Sequence, residues 1–171
     1  RDRLRQLAPI LGFTLSERTF SLDAHGKPRP EELPQLVASL AKAGADLLYQ
    51  SPDTFLNLLR DQLTGVAMAC NLPVFAASEA PVLKSAALMG VVNRYNEVGR
   101  LTAQQAARIL FENVAPSSMP IALPRRFSFL INMNAARQLE RYPPLKLLDF
   151  AEIIGDANTP QTHLVNTYSC N

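Results

Sequence analysis

Three short apolar runs alternate with helical stripes through the middle of the chain, and this alternation narrows the available folds more than any other feature. Residues 45–50 (ADLLYQ), 72–77 (LPVFAA) and 87–92 (ALMGVV) have strand length and are nearly continuous in apolar character. That is how strands covered on both faces read. Before the first run, Leu33, Leu36, Val37, Leu40 and Ala41 recur at helical spacing, and Gly44 closes the helix. Between the runs, Phe55, Leu59, Leu63, Val66 and Cys70 form a second stripe, and residues 81–85 allow one further helical turn. A long helix is expected over residues 95–113 from Ala103, Ala106, Ala107, Leu110 and Val114. Strand–helix alternation of this kind predicts an α/β fold, three-layer α/β/α, with a mainly parallel central sheet. Leu47, Leu48, Val74, Phe75 and Leu88 are its expected sheet residues.

The flanks are less regular. Residues 13–20 (FTLSERTF) alternate apolar and polar, the mark of a half-buried strand, and residues 23–30 read as a loop. After Pro116, Pro120 and Pro124, residues 126–131 (RFSFLI) read as a strand, with Asn132 or Asn134 capping a short helix that Pro143-Pro144 ends. Residues 1–155 form one expected unit, in which 126–141 is a closing strand and helix, and 156–171 a polar tail. No internal repeat is present.

A chain of 171 residues suffices for one domain with a real core. With 47% hydrophobic and 19% charged residues it reads as globular, and a formal net charge of +2 gives no strong steering toward nucleic acid. No run of 18 apolar residues is present to suggest a spanning helix. The chain begins at Arg1 without a signal-peptide pattern, as expected of a processed chain or a piece of a longer one. Cys70 and Cys170 are the only cysteines, and two such residues decide neither compartment nor pairing.

Enzyme constellations are scarce. His25 and His163 lie far apart, no G-x-S-x-G elbow accompanies them, and no Cys/His spacing fits zinc. Seven glycines include no G-x-G-x-x-G and no G-K-[ST] motif. A non-enzyme without cofactor or metal is expected. What remains is the rim formed by the strand C-termini, where open parallel sheets bind ligands. Ser51-Pro52-Asp53-Thr54, Ser78-Glu79 and Asn93-Arg94-Tyr95-Asn96 follow the three runs and would share that rim. Each has a plainer reading beside the functional one. Asp53 or Ser51 serves equally as a helix N-cap, Ser78-Glu79 as a cap before the Pro81 turn, and Cys70 as a small core residue.

Read in order, these segments resemble the substrate-binding proteins of ABC transporters, of the tryptophan- and tyrosine-binding type with the type I periplasmic-binding fold. The resemblance rests on Ala45-Asp46-Leu47-Leu48-Tyr49-Gln50-Ser51-Pro52-Asp53, Leu72-Pro73-Val74-Phe75 with Ser78-Glu79, Glu97-Val98-Gly99-Arg100, Ala106-Ala107-Arg108-Ile109-Leu110, and the closing residues 127–139. It covers about residues 1–155 and corresponds to the C-terminal lobe plus the closing segment of a two-lobed protein. It implies a small solute (an amino acid or similar) held in an interlobe cleft and delivered to a membrane permease, in a periplasmic or extracytoplasmic setting, with a lipid anchor in the precursor as one arrangement. Asp53 matches the family aspartate that faces the cleft. Ser51, Thr54, Ser78, Glu79 and Asn93 would complete the ligand set. The family's "YG.D" is replaced by Val91-Val92-Asn93-Arg94, which fits a different ligand or a lost one. The isolated lobe is expected to bind weakly, its half-site covered by the tail or by self-association. An extracytoplasmic sensing module and a small α/β hydrolase are the alternatives.

Overall fold

The computed structural model describes residues 2–124, 126–155 and 168–170. Helix α1 (Asp2–Leu11) is followed by an irregular stretch, a 3-10 turn (Pro30–Glu32) and α2 (Leu33–Lys42). Strand β1 (Leu48–Gln50) leads through α3 (Thr54–Leu58) and α4 (Arg60–Ala69) to β2 (Val74–Ala76), and α5 (Glu79–Lys84) leads on to β3 (Met89–Val92). After α6 (Tyr95–Phe111) come β4 (Ser128–Asn132), α7 (Met133–Gln138), α8 (Leu145–Leu148) and β5 (Ala151–Ile154).

The result is the expected α/β fold: a five-stranded, mostly parallel sheet flanked by helices, in the order β1-β2-β3-β4-β5. β1, β2 and β3 are parallel, with Tyr49 opposite Phe75 and Phe75 opposite Met89. The helical crossovers supply the length that parallel pairs need. β4 runs antiparallel to β3, and β5 parallel to β4.

The two sheet faces differ. Val74, Ala76, Val92 and Leu130 share one buried cluster with Val37 of α2, Leu63 and Val66 of α4, and Val82 of α5. On the opposite face Tyr49 stacks on Phe75, with ring centroids 6.2 Å apart, while Tyr49 and Val91 keep 46% and 44% of their surface exposed. A second, smaller cluster joins Leu88 to Ala135, Ala136 and Leu139 of the α7 region. Leu47 lies just outside β1 and is half exposed, because β1 is an edge strand.

Gly90 marks the tightest approach inside the sheet. A Cβ there would collide with the Ala76 carbonyl oxygen of the neighbouring strand, whereas one at Gly99 in α6 would meet nothing within 4 Å. Gly90→Ala is therefore expected to lower stability by about 3 kcal/mol, the upper range for overpacking. Gly99→Ala should raise it by up to about 1 kcal/mol through helix propensity. Urea titration of both variants checks the pair, and equal shifts would contradict it.

Residues 13–20 form no strand; their neighbourhood holds only an isolated bridge between Leu22 and Pro28. Alternation assigns side chains to faces but does not supply a hydrogen-bonding neighbour. The apolar side is still used, since Phe20 meets Phe55 edge-on at 5.2 Å and packs on the core. The hydroxyl and amide of Ser21 both donate to Glu32, tying this stretch to the start of α2 and holding the Glu32 carboxyl below its ordinary value.

Cys70 is not merely a core residue: it is bonded to Cys170. The described end of the polar tail, residues 168–170, is thus fastened to the end of α4, and residues 156–167 lie outside the described residues.

Candidate functional site

Because β1, β2 and β3 are parallel and adjacent, the chain leaves all three on the same edge of the sheet. The Ala77 amide donates to the Gln50 carbonyl at 3.0 Å, closing the pairing just where β1 gives way to the Ser51 turn. Asp53 follows with extended backbone (φ −99°, ψ 137°), and its Oδ1 accepts from the Leu56 amide at 3.0 Å. It is the N-cap of α3 and is solvent-exposed, so the carboxylate keeps lone pairs free for another partner. Thr54 is exposed beside it, and Ser51 is half-buried.

Ser78 occupies the N-cap position of α5 with the backbone geometry of a cap (φ −132°, ψ 155°), yet its side chain caps nothing. Its Oγ is buried and has no hydrogen-bond partner. Asn93, after β3, likewise buries an unpartnered Oδ1. The capping reading of the sequence therefore applies to Asp53 and not to the Ser78 hydroxyl.

Glu79 has partners already. Its Oε2 lies 2.9 Å from Arg94 Nε, and Oε1 accepts from the Tyr95 amide at 3.3 Å. Arg94 also reaches Glu152 of β5 at 2.8 Å. The pair binds the loop after β2 to the loop after β3 and onward to the far strand. Arg94 is thus a cross-link of the rim.

Sequence reasoning missed three further residues. Gln50, the last residue of β1, is 1% exposed; its Nε2 donates to the Leu56 carbonyl at 3.3 Å and its Oε1 has no partner. Asn57 Oδ1 and Arg60 Nε are also buried and unpartnered. The available signal was Gln50 itself, an amide ending an apolar run. Asn57 and Arg60 look like the polar side of a helix, and the burial of their polar atoms shows only in the folded chain.

Together, Gln50 Oε1, Asn57 Oδ1, Arg60 Nε, Ser78 Oγ and Asn93 Oδ1 are the buried side-chain polar atoms without a partner among the described residues. All five belong to β1's last residue or to the segments that follow β1, β2 and β3. Native folds leave few such atoms, because each costs about 1–3 kcal/mol. Gln50, Ser78 and Asn93 sit at the strand ends on that rim, whereas Asn57 lies in α3 and Arg60 at the start of α4. Three amide oxygens and a hydroxyl accept, while the guanidinium N–H and the same hydroxyl donate. The exposed polar groups of the rim are the Asp53 carboxylate, which accepts, and the Thr54 hydroxyl, which both donates and accepts.

The remaining chemistry is limited. Among the described residues, no group of His, Cys, Asp and Glu is arranged to hold a metal ion. His163, the histidine on which a hydrolase reading turns, lies outside the described residues. A separate pocket of about 330 Å³ opens at the other end of β3, lined by Leu88, Met89, Ile131, Tyr142, Pro143 and Leu147 among others. It is mainly apolar and holds none of the rim residues.

No family model matches the chain, and no curated protein matches it. Solved structures do. A conserved domain protein from Vibrio cholerae is 23% identical, with a TM-score of 0.75, over 90% of this chain and 49% of that one. A substrate binding protein with adhesive properties from Clostridium difficile, in a ligand-free, open structure, is 25% identical with a TM-score of 0.67 over 90% and 48%. An ABC domain from Streptococcus pneumonia, in complex with L-Trp, is 17% identical with a TM-score of 0.74 over 90% and 49%. The chain has the fold of these periplasmic-binding-type proteins and spans about half the length of each.

Proposed function

We propose that the chain is one lobe of a substrate-binding protein of the ABC-import type, and that its strand rim forms half of a cleft for a small zwitterionic solute such as an amino acid. The observation that carries this reading is the shared C-terminal edge of the parallel strands β1, β2 and β3, where the exposed Asp53 carboxylate shares a rim with the segments that hold the unpartnered Ser78 Oγ and Asn93 Oδ1. Asp53 pairs with the ammonium group, and Ser51, Thr54, Ser78 and Asn93 supply neutral hydrogen bonds. Glu79 contributes through its ion pair with Arg94, which holds two rim loops together. The role is binding without bond-making chemistry.

A second lobe belongs to this reading, since the structural neighbours are about twice as long. Helix α6 supports it. Seventeen residues long, it has no buried residue, and Tyr95 and Leu110 are 62% and 69% exposed. Such a helix takes most of its stability from an apolar face packed on something else. Closure of two lobes on the solute would present the closed form to a membrane permease. The Cys70–Cys170 bond supports an extracytoplasmic setting, where disulfides persist. No helix among the described residues is long and apolar enough to cross a membrane.

Titration of the chain with a panel of L-amino acids, followed by amide NMR shifts, tests this. Saturable shifts should concentrate at residues 50–57, 78–79 and 93–95. Asp53→Asn keeps the cap, so melting should hold steady while affinity falls about 10–100-fold, the size of a lost charge-assisted hydrogen bond. An unchanged affinity would leave Asp53 as a cap alone, and shifts centred elsewhere would remove the rim from the reading.

A further inference from the structure

Helix α4 meets Tyr168 and Cys170 from the end of the chain, and these two contacts fit together. A Cβ placed on Gly65 would lie 2.6 Å from both Cδ2 and Cε2 of Tyr168, so the Tyr168 ring rests directly on the helix backbone at this glycine. Five residues further on, Cys70 at the end of the helix is bonded to Cys170. Glycine is a poor choice inside a helix, second only to proline. Gly65 has no left-handed backbone to justify it, and the three nearest atoms outside its own helix to where its side chain would start all belong to the Tyr168 ring.

The spacings agree as well. Along a helix, five residues advance about 7.5 Å. Two extended residues, Tyr168 to Cys170, span about 7 Å. A chain end seated with its tyrosine on Gly65 therefore brings its cysteine level with Cys70 along the axis, and because Cys70 stands about 140° further round at the helix end, the chain end must also cross that end to reach the observed Cα–Cα distance of 5.0 Å. We propose that α4 is a receiving surface for the chain's own C-terminal segment: Tyr168 seats on Gly65, and that seating presents Cys170 to Cys70 so that the disulfide closes there.

With oxidised glutathione as oxidant, one cysteine thiolate attacks a glutathione sulfur and releases glutathione thiolate, forming a mixed disulfide. The second cysteine thiolate then attacks the protein sulfur of that mixed disulfide and expels the other glutathione. Two electrons pass to glutathione, and two thiol protons are released and taken up by the departing thiolates. Seating acts on the second step by raising the local concentration of one thiol at the other. The inference is independent of the solute-binding reading.

The test equilibrates the whole chain in buffers of reduced and oxidised glutathione, quenches with acid, alkylates, and reads the closed fraction by mass spectrometry. Tyr168→Ala removes the ring without touching the helix, and should lower the closure equilibrium constant about 10-fold or more. Tyr168→Phe keeps the ring and should close like the wild type. Gly65→Ala should also impair closure, yet in the reduced state it should melt at the same temperature as the wild type or higher, because alanine is the better helix former. Opposite signs in the two redox states are the signature of a seat. Wild-type closure in Tyr168→Ala would overturn the proposal whatever Gly65→Ala does, including a failure of that variant to fold.

Discussion

Replacing Cys70 or Cys170 by serine is expected to lower the stability of the chain by about 4–5 kcal/mol. The bond joins residues 100 apart, and a loop of that length loses about 4.7 kcal/mol of closure entropy from the unfolded state in the chain-entropy account. The enclosed segment holds β2 to β5 and α5 to α8, so most of the sheet lies inside the loop. Against the 5–15 kcal/mol or so that an entire domain has in reserve, such a loss leaves a marginal fold. At about 2–4 °C per kcal/mol for a chain of this size, the melting temperature should fall by roughly 8–20 °C. Cys70→Ser, Cys170→Ser, the double variant and the reduced wild type should coincide, because all four remove the same bond. A drop below about 1 kcal/mol would show that the unfolded chain is already compact across this span.

Asn132→Ala is expected to cost about 3–5 kcal/mol, far more than a polar-to-alanine change at a surface site. Asn132 ends β4, is 7% exposed, and makes four hydrogen bonds with one side chain. Its Nδ2 donates to the Val82 and Ser85 carbonyls, each at 3.1 Å, at the end of α5. Its Oδ1 accepts from the Asn134 and Ala135 amides at 3.0 and 3.1 Å, capping α7. Alanine leaves two carbonyls and two amides without that partner, at about 1 kcal/mol or more for each group that stays buried. Asn132→Asp separates the two roles. It keeps the cap but turns a carboxylate toward two carbonyl oxygens, so the neutral carboxyl is favoured in the fold and its folded pKa is raised. The stability of that variant should therefore increase as pH falls toward the carboxyl range and decline as pH rises. Urea titrations at several pH values check this, and a flat profile would place the cost elsewhere.

Much of the fold was legible in the sequence because it is local. Apolar runs of strand length at Leu48, Val74 and Met89, separated by helical stripes, are enough to imply crossovers and a parallel sheet. Asp53 and Asn132 read as caps because a short acceptor before a helical stripe satisfies that helix's first amides whatever surrounds it. The rim of the candidate site was legible for the same reason, since parallel strands must end on one edge.

Tertiary structure alone decided what depends on a distant partner. Residues 13–20 have the alternation of a strand but no neighbour to pair with. β5, at residues 151–154, gives no clear strand pattern and exists because β4 offers an edge. Arg94 becomes a cross-link only when the loops after β2 and β3 meet, and the polar atoms of Gln50, Asn57 and Arg60 are buried without partners only once the chain has packed. Cys70 and Cys170, 100 residues apart, pair only because the fold brings Tyr168 and Cys170 against α4. Patterning along a chain records which residues leave water, whereas hydrogen bonds, ion pairs and disulfides require two groups to arrive at the same point in space.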